Sequence, residues 1–174
     1  MVAYVAFLLF TPPPNASAIS CRNGQVVDVD GSTSAVDSNP KTDEVYVVSS
    51  DTDLLSVIDG KTCTVVKTFK VGKDPIAVAV DSNLNKAYVA NNDSGTVSII
   101  DTKTKEVLST VGVGNGLDAV AIDSNTNKAY VANYEDGTVS VIGVKTDKVV
   151  KTIPVGMGVY KLAVNPNGSV NFSG

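Results

Sequence analysis

The sequence Lys86-Ala-Tyr-Val-Ala-Asn91 occurs twice in this chain, and its repetition decides the fold. The same six residues stand at Lys128–Asn133, 42 residues later, and Tyr46 lies another 42 residues before Tyr88. The glycines Gly72, Gly114 and Gly156 keep the same spacing. Self-similarity at a fixed period of about 20 to 50 residues is typical of solenoids, propellers and other arrays of one structural unit. The chain is therefore predicted to be an array of 42-residue units.

Each unit contains four short segments with the composition of β-strands. In the second unit, residues 76–80 form a small apolar run, 87–90 follow a turn, and 96–100 and 107–111 alternate between polar and apolar side chains. Val, Ile, Thr and Tyr favour strands, and the Asn, Asp, Gly and Ser residues between them favour turns. No segment has the 3.6-residue period of a helix. An all-β fold is predicted.

Four antiparallel strands in about 42 residues, repeated along the chain, predict the blades of a β-propeller. A single four-stranded sheet cannot bury both of its faces, whereas stacked blades cover each other with aliphatic side chains. We expect the first strand of each blade to line the channel. The repeated tyrosines (Tyr46, Tyr88 and Tyr130) are expected to pack between blades, each with its hydroxyl on a backbone partner.

Longer motifs follow the repeated Tyr-Val-Ala-Asn: Ser-Gly-Thr-Val-Ser-Ile-Ile-Asp at 94–101 and Asp-Gly-Thr-Val-Ser-Val-Ile at 136–142. With these motifs, residues 26–174 resemble the YVTN-repeat β-propeller family. The resemblance implies a propeller of about seven blades, of a type common in surface-layer and periplasmic proteins, and it brings no catalytic motif. The first unit departs from the pattern, because its turn at 37–43 reads as two residues longer.

We divide the chain into an N-terminal segment, 1–20, and propeller repeats, 21–174. The blades are expected at about 32–72, 73–114 and 115–156, with a partial blade at 157–174. About 3.5 blades do not close a ring, and three explanations stay open. The chain is a fragment of a longer propeller, or two copies form a homodimer with a seven-bladed ring. The third is a four-bladed ring whose last blade combines 26–29 with 161–173 and lacks its third strand.

The N-terminal segment contains an apolar run of nine residues, 2–10. The run is too short to cross a bilayer as a helix, which needs about 20 residues. It fits the apolar region of a secretory signal, with small residues at 16–18 for cleavage, although the basic start of such signals is missing. We expect an exported protein, at the cell surface, in the periplasm or outside the cell. The alternative is an apolar strand left by a truncated start.

Two cysteines, Cys21 and Cys63, bear on the same question. A disulfide between them is natural after export, and two free thiols are natural inside a cell. Both alternatives stay open from the sequence.

Composition excludes several classes of function. The chain has 174 residues, no His, a net charge of −4 and 43% hydrophobic residues. Without histidine it lacks the most frequent general base and the most frequent transition-metal ligand. An acidic chain is a poor ligand for a phosphate backbone, so no nucleic-acid partner is expected. We also expect no cofactor.

Candidate ligand-binding residues lie in the loops at one end of the channel. They are Asp51, Asp93, Glu135, Asp74, Asp118, Asn91 and Asn133. Three of the carboxylates occupy one repeat position, which suggests a ring for Ca²⁺ or a cationic ligand. Turn residues that bond their own backbone give the same pattern, and we favour that interpretation. No catalytic residue and no metal ligand is assigned.

Two functions from different classes follow. The favoured one is a non-enzymatic, exported scaffold that binds a protein or polysaccharide at the cell surface. The alternative is a lactonase-like propeller enzyme that uses the loop carboxylates with a divalent metal as Lewis acid.

Overall fold

The computed structural model describes residues 16–21, 24–165 and 167–173, which form antiparallel β-strands joined by turns. The strands are β1 (Ala16–Ser20), β2 (Val26–Asp30), β3 (Thr33–Asn39), β4 (Glu44–Ser49), β5 (Leu54–Asp59), β6 (Thr64–Lys70), β7 (Pro75–Asp81), β8 (Lys86–Asn91), β9 (Thr96–Asp101), β10 (Glu106–Gly112), β11 (Leu117–Asp123), β12 (Lys128–Asn133), β13 (Thr138–Gly143), β14 (Lys148–Pro154), β15 (Lys161–Val164) and β16 (Val170–Ser173). The predicted apolar run at 2–10 lies outside the described residues. Within them, no helix is long and apolar enough to span a membrane.

The strands form three complete blades and two smaller sheets. The first blade is β3–β6, the second β7–β10 and the third β11–β14, each a four-stranded sheet with its strands in chain order. Strands β1 and β2 form an N-terminal hairpin, and β15 and β16 form a C-terminal hairpin. The predicted partial β-propeller of four-stranded antiparallel blades is confirmed.

The middle strands carry the core and the outer strands face water. In β8, every residue after Lys86 is buried, whereas β6 and β10 are mostly exposed. Lysines such as Lys67 and Lys70 lie on the outer edge of the first blade. Charged side chains on an edge strand discourage pairing with other chains. The outer edge strands of the blades are thus exposed and charged, whereas the faces between blades are apolar.

Asx turns recur at the ends of the strands. Asp81 Oδ1 accepts hydrogen bonds from the backbone N–H groups of Asn83 and Leu84, at 2.7 and 3.1 Å. In the first blade Asn39 takes the same place and accepts from the N–H of Lys41 at 3.1 Å. The turn of the first unit therefore has the usual length, and the prediction that it is two residues longer was wrong. Asparagine replaces the aspartate because either side chain can close this turn.

Residues with positive φ repeat at the ends of these turns. The members are Asp43, Asn85 and Asn127 in the first turn of each blade, and Cys63, Lys105 and Asp147 in the last turn. The left-handed conformation is tolerated best by glycine and by Asn or Asp. These positions explain why Asn and Asp punctuate the repeat.

The core lies between the blades. One cluster joins the second and third blades through Tyr88 and Ile99 on one side and Leu117, Val131 and Ile142 on the other. A second cluster joins the first and second blades. Stacking each sheet on the next removes both faces of the middle blade from water, which is the main stabilising term of this fold.

The repeated tyrosines differ in their hydrogen bonds. Tyr46 and Tyr88 are both fully buried. The hydroxyl of Tyr46 donates to Glu44 Oε2 at 3.0 Å and lies 3.4 Å from the carbonyl oxygen of Thr102 in the second blade. The hydroxyl of Tyr88 has no partner among the described residues. Burial raises the pKa of both phenols, and a nearby carboxylate raises it further, from Glu44 for Tyr46 and Asp147 for Tyr88.

Removing these hydroxyls is expected to have opposite consequences. Tyr46→Phe should lower the free energy of unfolding by about 1–2 kcal/mol, because it removes a hydrogen bond to a charged group. Tyr88→Phe should leave stability unchanged or raise it, because a buried hydroxyl without a partner is lost. Urea denaturation of the two variants checks this. Equal losses in both would contradict it.

Each junction between complete blades is crossed by an ion pair, and the two pairs involve different residues. Lys105 of the second blade pairs with Glu44 of the first at 2.7 Å, and Lys86 of the second pairs with Asp147 of the third at 2.6 Å. The charges are thus reversed between the two junctions. At the same repeat position as Lys105 and Asp147, Cys63 forms a disulfide with Cys21 of the N-terminal hairpin.

The N-terminal hairpin covers the free face of the first blade. Ile19, Val27 and Val29 are buried against Val47 and Ile58. Strand β1 falls within the segment expected to be a leader, so the last residues of that segment belong to the fold. The two hairpins form separate sheets, and the composite last blade of a four-bladed ring is not formed.

Candidate functional site

Two sets of loops meet at one end of the blades, which we call the loop end. One set joins the second and third strands of each blade (50–53, 92–95 and 134–137), and the other joins consecutive blades (71–74, 113–116 and 155–160). The backbone N–H groups of Val71, Val113 and Val155 donate to the carbonyl oxygens of Asp53, Gly95 and Gly137, at 3.0 Å in each case. The two sets of loops are therefore joined by the same backbone hydrogen bond at all three blades.

An acidic cleft of about 420 Å³ opens at the loop end between the first and second blades. It is lined by Ser50, Asp51, Asp53, Lys73, Asp74 and Asp93. The structure thus brings together Asp51, Asp74 and Asp93 of the predicted ligand-binding residues. Glu135 and Asp118 do not line the cleft.

The cleft carboxylates bond to neighbouring loops. Asp51 Oδ1 accepts from the backbone N–H of Ser32 at 2.6 Å, and Asp53 Oδ1 accepts from that of Asp74 at 3.0 Å. Asp74 Oδ2 accepts from the side-chain amide of Asn92 at 3.2 Å. These bonds reach residues 18 to 21 positions away in the chain, whereas the interpretation favoured from the sequence was that turn residues bond their own backbone. They fix the loops and do not indicate a cation site.

Asn91 and Asn133 do not face the loop-end solvent. Both side chains are fully buried, and each amide donates to two hydroxyls of its own blade; Asn91 reaches Thr96 at 3.2 Å and Ser98 at 3.0 Å. Gly72 lies over Asn91, where a Cβ atom would come within 2.7 Å of the side chain. The assignment of these asparagines to a ligand site is therefore corrected. Their buried side chains donate hydrogen bonds to hydroxyl groups inside the blade.

Asp118 and Glu135 lie in the third blade, Asp118 in β11 and Glu135 in the loop between β12 and β13. Partial removal of water from the Asp118 carboxylate raises its pKa, although the residue keeps an exposed edge. Glu135 packs against Gly116, where a Cβ would lie 2.8 Å from the Glu135 nitrogen. Within the described residues, no group of three or more His, Cys, Asp or Glu is placed to hold a metal ion.

A second feature of the loop end was not predicted. Tyr134, Met157 and Tyr160 are exposed by 47%, 84% and 43% of their surface, and Lys161 Nζ lies 5.5 Å from the centre of the Tyr160 ring. We call these four residues the Met157 corner. An alignment of the repeats could have indicated this feature. Met157 and Tyr160 occupy the repeat positions that Lys73 and Ile76 occupy in the second blade, so the residue types differ there.

The loop that carries Met157 is shaped by glycines. Gly156 and Gly158 have φ of 93° and 91°, conformations that favour glycine. A Cβ on Gly158 would lie 4.0 Å from the Tyr134 ring, and one on Gly137 would lie 3.0 Å from the Met157 nitrogen. The loop therefore packs closely on the third blade while the Met157 side chain projects into solvent.

Known proteins resemble this chain at the level of fold and family. A structure titled Kuenenia stuttgartiensis Hydrazine Synthase superposes with a TM-score of 0.79 and 21% identity, over 91% of this chain and 49% of that one. The chain thus spans about half the length of this structural neighbour, and at this identity the likeness shows the fold. No curated protein matches.

The family model of the cytochrome D1 heme domain matches residues 39–166. A match to a heme domain of a cytochrome contradicts the prediction of a non-enzymatic scaffold, and with it the prediction that the protein is not an enzyme. A scaffold was inferred from the missing catalytic side chains, but a propeller that holds a cofactor needs few of them, because the cofactor carries the chemistry. The match includes the second and third blades, the first blade without strand β3, and the Met157 corner. The chain belongs to the cytochrome D1 heme domain family.

Proposed function

We propose that this chain forms part of a heme-binding propeller of the redox-enzyme class. The observation that carries the proposal is the family match over residues 39–166, which covers the second and third blades, most of the first blade and the loop of Met157. The propeller fold alone hosts unrelated activities, so the proposal also requires residues that suit a heme.

The donor atoms of the chain narrow the choice of an iron ligand. Heme iron in proteins is held by His, Cys thiolate, Met or Tyr. The sequence has no His, and Cys21 and Cys63 are joined to each other. Tyr46 and Tyr88 are buried in the blades. The exposed donors of the loop end are the thioether of Met157 and the phenols of Tyr134 and Tyr160.

The Met157 corner suits a heme better than the acidic cleft does. A heme is a flat apolar ring with carboxylates on one edge, so it favours aromatic walls and a cation. Tyr134 and Tyr160 supply exposed rings, and Lys161 supplies the charge. The cleft instead presents four aspartates and a single lysine, and like charges would repel the carboxylates of the ring.

The chain's own residues would bind and orient the group. The aromatic faces of Tyr134 and Tyr160 would stack on the ring, and Lys161 would neutralise a carboxylate at its edge. Bound heme would supply one-electron chemistry at its iron, as such cofactors do. The glycine-rich loop would let the protein backbone approach the ring closely.

Heme titration of the purified 174-residue chain tests the proposal. We expect saturable binding of ferric heme, seen as a shift of its main absorption band, and a rise in melting temperature with heme concentration. A matched control is Asp51→Asn in the acidic cleft, which should bind heme as the unaltered chain does. Absence of any saturable spectral change would contradict the proposed function.

The location and partners of the chain are also proposals. The Cys21–Cys63 disulfide supports export to an oxidising compartment, as in the YVTN-like periplasmic proteins that the repeats resemble. A homodimer in which a second copy helps to close the ring stays a proposal. Light scattering of the chain in solution tests the dimer. Binding to a protein or polysaccharide stays a prediction, as does the absence of a nucleic-acid partner.

A further inference from the structure

We propose that the open edge of β1 binds residues 2–7 of the same chain, as the second strand of an N-terminal blade. The inference goes beyond the proposed function and does not depend on it. Residues 2–7 lie outside the described part of the chain, so their sequence is the evidence on that side. Two further observations concern described residues: the place of the N-terminal hairpin in the repeat, and an uncovered valine on the first blade.

The N-terminal hairpin holds the third and fourth strand positions of a blade. Cys63 lies in the turn between the third and fourth strands of the first blade, and Cys21, 42 residues earlier, lies between β1 and β2. Strand β2 also contacts β6, as the fourth strand β10 contacts the fourth strand β14. Among the described residues β1 pairs with β2 alone, whereas the third strands β5, β9 and β13 each pair on both sides. The edge of β1 that would face a second strand is open in this part of the chain.

The first blade exposes an apolar side chain whose repeat equivalents are covered. Val36 in β3 is 37% exposed. The equivalent Val78 packs in the cluster of Tyr46, and the equivalent Val120 packs in the cluster of Tyr88. In both cases the tyrosine belongs to the second strand of the preceding blade. No such tyrosine covers Val36 among the residues that the structure describes.

The sequence of residues 3–6 is that of a second strand. Ala-Tyr-Val-Ala at 3–6 occurs again at 87–90 and at 129–132, in the second strands of the second and third blades. Tyr4 stands 42 residues before Tyr46, so the segment is in register with the repeat. The repeat therefore assigns Tyr4 to the aromatic position that is unfilled over the first blade.

Binding of residues 2–7 would satisfy both features at once. The backbone of the segment would pair with the open N–H and C=O groups of β1, and Tyr4 would cover Val36. Residues 8–15 are long enough to connect the two, because hairpin loops need only about 2 to 5 residues. A second copy offers the same segment, but the tethered segment is present at a much higher effective concentration. Of the two interpretations of the apolar run at 2–10, this inference takes the strand.

A single tryptophan tests the inference, because the sequence contains none. In the full 174-residue chain, Tyr4→Trp should place an indole over Val36. We expect blue-shifted emission that does not change on dilution and that acrylamide quenches several-fold less than the emission of free tryptophan. Adding Val36→Ser should shift the emission back toward that of exposed tryptophan. The matched control is Val66→Ser on β6, a site 45% exposed, which should leave the emission unchanged.

Hydrogen exchange gives an independent readout. In a chain that lacks residues 2–7, the amides of β1 should exchange faster than in the unaltered chain, while those of β12 in the third blade keep their rates. Emission typical of an exposed indole, or exchange in β1 that the truncation leaves unchanged, would overturn the inference. So would a blue shift that is lost on dilution, which would assign the edge to a second copy. A blue shift that Val36→Ser leaves unchanged would place the segment elsewhere and would also overturn it.

Discussion

Replacing Ile99 by alanine is expected to lower the free energy of unfolding by about 4 kcal/mol. Ile99 is fully buried in β9, opposite Tyr88, and belongs to the cluster that joins the second and third blades. Removing the side chain loses its burial and leaves a cavity at the central junction, where the blades on both sides limit collapse. The melting temperature should fall by about 10 °C.

Leu108→Ala is the matched control for Ile99→Ala. Leu108 lies on the outer strand β10 of the same blade and is 48% exposed. Its replacement should change stability by about 0.5 kcal/mol, as surface substitutions usually do. Denaturant unfolding of both variants measures the difference. If Ile99→Ala and Leu108→Ala lowered the free energy of unfolding by similar amounts, the junction between the blades would not be the core of this chain.

The blades could be predicted from the sequence because each repeat contains the residue patterns of all its strands and turns. The 42-residue spacing places Tyr46 and Tyr88 in equivalent strands, and the structure pairs them in equivalent registers, Tyr46 with Val57 and Tyr88 with Ile99. Binary patterning and turn residues agree with each other at every blade, and such agreement is what makes a fold predictable.

Contacts between blades could not be predicted in the same way. Lys86 pairs with Asp147 and Lys105 with Glu44, although each pair is separated by about sixty residues and the charges exchange places. A repeat pattern describes one blade, whereas these pairs depend on how two blades are rotated against each other. The burial of Asn91 was missed for a related reason, because a polar residue after a strand normally faces a loop.

The prediction of a scaffold was wrong because a propeller that holds a cofactor needs few catalytic side chains, so their absence from the repeats does not exclude an enzyme. Asp51 and Asp93 share a repeat position and proved to line a cleft in which Asp51 bonds a neighbouring loop. Met157 departs from the repeat, and its exposure is visible only in the structure. In a repeat protein, each blade needs the repeated residues for folding, so a site is better sought where one blade differs from the others.

Removing the disulfide is the second change with a large expected effect. The bond joins residues that are 42 apart, and closing a loop of this length reduces the entropy of the unfolded chain by an amount worth about 4 kcal/mol. The double variant Cys21→Ser/Cys63→Ser avoids a free thiol. It should melt well below the unaltered chain, by about 10 °C.

The loss should concentrate at the N-terminal hairpin. Without the bond, β1 and β2 are held by the burial of Ile19, Val27 and Val29 against the first blade and by hydrogen bonds to each other. Hydrogen exchange should therefore speed up in β1 and β2 and at the face that they cover, including Val47, before it changes in the third blade. Reduction of the unaltered chain should reproduce both the melting temperature and the exchange pattern of the double variant. A reduced chain as stable as the oxidised one would mean that packing alone holds the hairpin in place, and that the covalent link adds nothing to the fold.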